Sequence, residues 1–106
     1  MTFEAIRTIA ANHPSLPGHF PDAPLVPGVV ILDEVVAALI EWRQGTQLTG
    51  IRMVKFLAPL QPDQAFTISL IAKDEPDAQV NFCCRAADHV IVEGQLEVVW
   101  GRKVSR

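Results

Sequence analysis

The chain has 106 residues and a mass of 11.6 kDa, 49% of its residues are apolar, and its formal net charge is −3. This size predicts a single domain, residues 1–106, whose core is small enough that association with a second chain would help it. The negative charge argues against nucleic-acid binding, and no apolar run approaches the roughly 20 residues that cross a bilayer. No export signal is evident, so we expect a cytoplasmic protein.

The N-terminal part of the chain predicts a strand followed by an irregular loop. Residues 2–11 mix β-branched and polar residues, which is typical of an edge strand. The loop HPSLPGHFPDAPLVPG is rich in Pro, which restricts the backbone, and in Gly, which permits unusual backbone conformations. His19 lies within the sequence PGHFP of this loop. We therefore expect its imidazole to be held in one position.

A helix is predicted from Pro27 to about Trp42. Pro suits the first position of a helix, and the apolar run VVILDEVVAALIEW ends shortly before Gly45. Val and Ile are abundant in this run, but its length favours a helix over a strand. Because apolar residues occupy nearly every face of the helix, we expect other elements to wrap around it.

The period of the apolar pattern changes to two after the helix, which predicts four half-buried strands. They cover residues 47–57, 65–73, 80–85 and 90–100, with turns at 59–64, 74–78 and 87–89. One helix followed by consecutive antiparallel strands predicts an α+β fold with a curved sheet packed around the helix.

Two adjacent acids lie in the predicted helix, and their neighbours differ. Glu34 shares its face with Glu41, as at a partly solvated edge, whereas Asp33 shares its face with apolar residues such as Val30 and Ile40. The carboxylate of Asp33 is therefore expected to enter an apolar interior. Burial there is costly unless the group is paired or used in catalysis, although a buried Asp bound to a backbone group is the structural alternative.

His19 and Asp33 are the residues with the best potential for acid–base chemistry. A histidine titrates near neutral pH and can act as general base, and a carboxylic acid in an apolar site can act as general acid. No metal site is expected, because the spacing of His13 and His19 matches no usual zinc ligand set. The adjacent Cys83 and Cys84 would point to opposite faces of a strand, which argues against a disulfide between them.

Two stretches of the sequence resemble the hot-dog-fold 3-hydroxyacyl-[acyl-carrier-protein] dehydratases. PGHFPDAPLVPGVVILDEV is similar to the family pattern GHFPxxPxxPGVxxxE/D, and VKFLAPLQPDQ is similar to KFRxPVxPGDxL. The resemblance implies a hot-dog fold, in which the sheet wraps around the helix, and dehydration of a 3-hydroxyacyl thioester to a trans-2-enoyl thioester. The short form of the chain is similar to the dehydratases of aryl-polyene pathways.

The resemblance also implies roles for individual residues. His19 matches the catalytic histidine, Asp33 matches the catalytic acid, and Gly28 matches the glycine whose backbone N–H binds the thioester carbonyl. Phe20 and Val29 flank these positions and are expected to contact the substrate. The reaction needs no cofactor and no metal ion.

The expected partners are an acyl carrier protein that carries the substrate and a second hot-dog subunit. In the family, the histidine and the acid of one site come from different chains of a dimer, which is either a homodimer or a heterodimer here. Two other functions remain open: a noncatalytic acyl-binding subunit of a heterodimer, and an acyl-thioesterase, because one fold can host several activities. The glutamine that often follows the acid in the family has no equivalent in this chain, which leaves the acyl length open.

Overall fold

The computed structural model describes residues 1–12, 25–72 and 79–101, and within these ranges it contains one helix and five strands. The helix is α1 (Gly28–Trp42). The strands are β1 (Thr2–Thr8), β2 (Gln47–Phe56), β3 (Ala65–Ala72), β4 (Gln79–Ala86) and β5 (His89–Val99). The predicted elements are all present in the predicted order, and the α+β fold class is confirmed.

The strands form one antiparallel sheet in the order β1-β3-β4-β5-β2. Alternating residues of the central strands point toward the helix, and in β3 these are Phe66, Ile68 and Leu70, which are at most 1% exposed. Because the side chains of a strand alternate between the two faces of a sheet, one face becomes a continuous apolar surface. The core lies between this face and α1.

Helix α1 begins directly after Pro27, whose backbone is extended, and it contributes one buried stripe to the core. The stripe consists of Val30, Ile31, Val35, Ala38 and Leu39. The opposite side of the helix is exposed, in contrast to the prediction that the fold would surround it. A single five-stranded sheet reaches only one side of a helix, so apolar residues on the other side remain uncovered in the isolated chain.

A local irregularity in β5 changes which residues enter the core. Cys84 pairs with Val92 and Arg85 pairs with Val90, so Ile91 is an extra residue without a partner on β4. Both Ile91 and Val92 are therefore buried, although strict alternation would expose one of them. The Ile91 carbonyl accepts hydrogen bonds from Leu57 N–H, at 2.8 Å, and from Ala58 N–H, at 3.3 Å. These two hydrogen bonds hold the segment that follows β2 against the irregular part of β5.

Candidate active site

An apolar cavity of about 450 Å³ lies between the start of α1 and the end of β2. Two chain segments form its walls and are joined by a hydrogen bond of 2.8 Å from Val26 N–H to the Leu60 carbonyl. The cavity is lined by Leu25, Val26, Gly28, Ile31, Phe56, Leu57, Ala58 and Pro59. None of these described lining residues has a polar side chain, so the polar groups that they offer a ligand belong to the backbone.

The first turn of α1 supplies such backbone groups. Pro27 has no N–H, its carbonyl accepts a hydrogen bond of 3.0 Å from Val30 N–H, and no side chain caps this end of the helix. The N–H groups of Gly28 and Val29 have no acceptor in the described part of the chain. Free N–H groups at a helix N-terminus carry partial positive charge and favour a ligand oxygen. Gly28 therefore combines an available N–H with a position on the cavity wall.

The aromatic ring of Phe56 lies directly against Gly28. A Cβ atom added at Gly28 would lie 2.5 Å from Cε1 and 2.7 Å from Cζ of this ring. Only glycine leaves room for the ring at this position. Phe56, Leu57 and Pro59 were not predicted from the sequence as lining residues, although all three belong to the stretch VKFLAPLQPDQ that resembles the dehydratases. That similarity was the available signal.

Asp33 does not enter the interior of the single chain. It is exposed on the side of α1 that faces away from the sheet, together with Val29, Ala37 and Ile40. The predicted burial of Asp33 within its own chain was therefore wrong. The reason is geometric: Val30, which was expected to share its face, lies on the buried stripe, whereas Val29 and Ile40 beside Asp33 are 63% and 43% exposed. The carboxylate lies on a surface that a second chain could bury.

Glu34 differs from Asp33 as the sequence indicated. Arg7 on β1 donates a hydrogen bond of 3.1 Å from its Nε to the carboxylate of Glu34. Its Nη2 donates a second hydrogen bond to the carboxylate of Glu41. The bond to Glu41 raises the pKa of Arg7, and partial burial opposes this rise. Glu34 and Glu41 thus lie at a partly solvated edge, where both are used to attach the helix to β1.

The other predicted site residues divide into two groups. Gly28 lies at the start of α1 and lines the cavity, whereas Val29, the next residue, is exposed and is not among the lining residues. His19 and Phe20 lie outside the described residues, so their proposed roles stay predictions. Within the described ranges, Gly28 is thus the one predicted site residue that lines the cavity.

The two cysteines lie on opposite faces of β4 and are not joined by a disulfide. Cys84 is fully buried in the core, and this burial, with a smaller effect of Cys83, raises its pKa to about 12. A thiol with this pKa is protonated at neutral pH, and the thiolate is the nucleophilic form. Cys84 is thus a core residue and not a nucleophile.

Neither a metal-binding cluster nor a membrane-spanning helix occurs in the ranges that the structure describes. No three His, Cys, Asp or Glu side chains lie close enough together there to hold a metal ion. The helix of these ranges is too short to cross a bilayer.

A curved antiparallel sheet packed on one central helix, with an apolar cavity at the N-terminus of that helix, defines the hot-dog class of proteins. Within this class, residues 1–95 match the family model ApeI-like, described as ApeI dehydratase. The chain belongs to this dehydratase family, as the two sequence stretches indicated.

One relative agrees with this family assignment, and two solved structures agree with the fold. The chain is 30% identical over 115 aligned positions to the 3-hydroxyacyl-[acyl-carrier-protein] dehydratase FabZ of Chlamydia trachomatis serovar L2, with 95% of this chain and 74% of that protein covered. Among solved structures, it is similar to a chain of the dehydratase heterocomplex ApeI:P from Xenorhabdus doucetiae, with a TM-score of 0.79, 24% identity and coverage of 92% and 86%. It also resembles the (R)-hydratase of A. caviae, with a TM-score of 0.77, 15% identity and coverage of 94% for both chains.

Proposed function

We propose that the chain catalyses the reversible dehydration of a 3-hydroxyacyl thioester, carried by an acyl carrier protein, to the trans-2-enoyl thioester in fatty-acid or polyene-type synthesis. The observation that carries this proposal is the apolar cavity that meets unpaired N–H groups at the start of α1, in a chain that belongs to the ApeI-like dehydratases. The cavity suits an acyl chain, and the N–H groups suit a thioester carbonyl.

The proposed chemistry is a general acid–base elimination. The N–H of Gly28 donates a hydrogen bond to the thioester carbonyl and stabilises the negative charge that develops on its oxygen. His19 removes the α-proton, and protonated Asp33 gives its proton to the β-hydroxyl, which leaves as water while the α,β double bond forms. His19 then holds one extra proton and Asp33 lacks one, and exchange with solvent restores both. Phe20 and Val29 contact the acyl group beside this centre.

A second hot-dog subunit completes the site in this proposal. Strand β2 has only β5 as a neighbour in the described sheet, and its residues Ile51 and Phe56 are about half exposed. The helix face that carries Asp33 is also uncovered. Exposed apolar groups next to an unpaired strand edge are typical of a protein–protein contact. A partner on this side would bury Asp33 and could bring the His19 of one chain to the Asp33 of the other.

The second subunit is either another copy of this chain or a nonidentical hot-dog chain. A homodimer needs only this chain. A heterodimer with a nonidentical hot-dog chain is favoured by the likeness to the dehydratase heterocomplex ApeI:P. In the second version the chain either contributes residues to the site or serves as a noncatalytic acyl-binding subunit. The cytoplasmic location expected from the sequence stays a prediction.

The activity is tested with purified protein and 3-hydroxyacyl carrier protein of several acyl lengths, by following the mass of the acyl group. Loss of one water is the expected result. Release of the free acid would instead identify a thioesterase. An unchanged substrate, both with the chain alone and after addition of a nonidentical hot-dog subunit, would refute the dehydratase proposal.

The role of two chains is tested by mixing inactive variants. His19→Ala and Asp33→Asn should each reduce kcat by about 10²- to 10⁴-fold, the usual contribution of a general acid or base. If each site combines residues from both chains of a homodimer, mixing equal amounts and allowing subunit exchange should restore about a quarter of the activity, because about half the dimers are mixed and each mixed dimer has one intact site. No restoration after demonstrated exchange would show that both residues act within one chain.

A further inference from the structure

The contact between Phe56 and Gly28 has a consequence for the choice of substrate. Cε1 and Cζ of the ring occupy the space that a side chain at position 28 would fill. Phe56 is also the one aromatic residue among the side chains that line the cavity within the described ranges. The ring therefore lies beside the N–H group at which the cavity meets the start of the helix.

The backbone on both sides of this contact is held by hydrogen bonds. Phe56 is the last residue of β2 and pairs with Val92, and the next two N–H groups along the chain bond to the Ile91 carbonyl. The segment before the helix is attached to the same wall through Val26 N–H and the Leu60 carbonyl. The ring cannot leave Gly28 through a simple movement of either segment, because that movement would break these bonds.

We propose that Phe56 determines specificity at the α-carbon of the acyl group, and that it excludes thioesters with a substituent on that carbon. This inference rests on the proposed function, in which the Gly28 N–H binds the thioester carbonyl. The α-carbon is bonded to the carbonyl carbon, so it must lie close to the same helix turn and to the ring that covers it. A hydrogen on the α-carbon fits beside the ring, whereas a methyl group would compete with it for space.

The size of the expected effect follows from comparable pockets. One methyl or methylene group in an apolar pocket changes kcat/KM by about 10- to 200-fold. The unsubstituted substrate should therefore exceed its 2-methyl analogue by at least about tenfold in the natural protein. Removal of the ring should reduce this ratio by about tenfold, mainly because the 2-methyl substrate becomes better.

The experiment measures dehydration of 3-hydroxyhexanoyl and 2-methyl-3-hydroxyhexanoyl acyl carrier protein by the assembled active protein and by its Phe56→Ala variant. Leu57→Ala is the matched control, because Leu57 lines the same cavity and is similarly exposed but does not lie against Gly28. For Leu57→Ala, the ratio of kcat/KM between the unsubstituted and the 2-methyl substrate should stay within about twofold of the ratio for the natural protein. Phe56→Leu replaces Phe56→Ala if the latter does not fold, and a smaller change in the same direction is then expected.

The outcomes separate the two proposals. If the assembled protein dehydrates no unsubstituted 3-hydroxyacyl carrier protein of any acyl length tested, the proposed function fails and this inference fails with it. If it dehydrates both substrates equally well, or if Leu57→Ala changes the ratio as much as the Phe56 variant does, the inference is overturned while the proposed function stands.

Discussion

Gly28 lies at the start of a helix, where the ring of Phe56 occupies the place of a side chain. In an exposed helix, replacement of Gly by Ala stabilises the folded state by up to about 1 kcal/mol. Here the added methyl group would meet ring atoms at 2.5 and 2.7 Å. Overpacking of this kind costs about 1–3 kcal/mol, so the steric cost outweighs the gain in helix propensity.

We predict that the sign of the Gly28→Ala effect depends on residue 56. In the natural background, Gly28→Ala should lower the free energy of unfolding by about 1–2 kcal/mol. In a Phe56→Val background, which lacks the ring, the same change should be neutral or stabilising. Urea unfolding of the four proteins measures this coupling. Equal effects in both backgrounds would show that the ring does not cause the cost.

Cys84 makes stability depend on pH in the alkaline range. Its pKa in the folded protein is about 12, above the ordinary value of 9.0. Above pH 9 the unfolded chain therefore loses this proton while the folded chain keeps it, and the folded state becomes less stable as the pH rises. The contribution is at most about 1.4 kcal/mol per pH unit between these two values.

The expected result is that Cys84→Ala reduces the loss of stability between pH 9 and 10.5, although the variant is less stable at every pH because its side chain leaves a small cavity. Cys83→Ser is the control, since it keeps the buried thiol and should keep the pH dependence. Urea unfolding at several pH values provides the measurement. The explanation fails if Cys84→Ala and the natural protein lose stability in parallel.

At the scale of secondary-structure elements, Arg7 connects β1 to α1 through two acids that lie about two turns apart on the helix. Its side chain is 22% exposed, whereas those of Glu34 and Glu41 are 32% and 54% exposed. Solvent therefore screens the Glu41 bond more than the Glu34 bond. Most of the stabilisation should come from Glu34.

We expect Arg7→Met, which keeps much of the apolar stem, to lower the free energy of unfolding by about 1 kcal/mol and to make it less sensitive to salt. Arg52→Met is the matched control, because Arg52 and Glu97 are 3.9 Å apart and both about half exposed. Its effect should be close to zero. If both variants behave alike, the two bonds of Arg7 do not hold the helix to β1.

The elements themselves could be predicted well, because their apolar periods are strong. The helix and all five strands lie where the sequence placed them, with ends that differ by a few residues. The exceptions arise from pairing between strands. Ile91 is buried because β5 contains an extra residue opposite β4, and β2 has two irregularities in its pairing with β5. A single strand sequence does not reveal where its neighbour forces such an extra residue.

At the scale of the whole molecule, the two edges of the sheet differ in what lies beside them. The β2 edge exposes Ile51 and Phe56, and the uncovered face of α1 exposes Val29 and Ile40. The β1 edge also exposes an apolar residue, Ile6, at 71%, but there Arg7 and its acids cover the adjacent helix surface. A second hot-dog chain should therefore associate along β2.

This assignment predicts that Ile51→Glu or Ile40→Glu weakens association with the second subunit, because each would bury an unpaired charge in the contact. Ile6→Glu places the same charge on the other edge and should leave association unchanged. Native mass spectrometry and analytical ultracentrifugation measure the proportion of assembled protein. Dissociation by Ile6→Glu, with no effect of the other two variants, would place the contact on β1 instead.

The sequence by itself determined the order of the elements, the dehydratase family and the position of Gly28, because apolar periods and short motifs are local properties of the chain. The tertiary structure decided which residues distant in the chain are in contact and which faces of the helix are buried. It placed the ring of Phe56 on Gly28, 28 positions earlier in the chain, and it placed Asp33 on the face of α1 that its own sheet does not reach. Helical spacing shows which residues share a face, but only the packing of the sheet decides which face is covered.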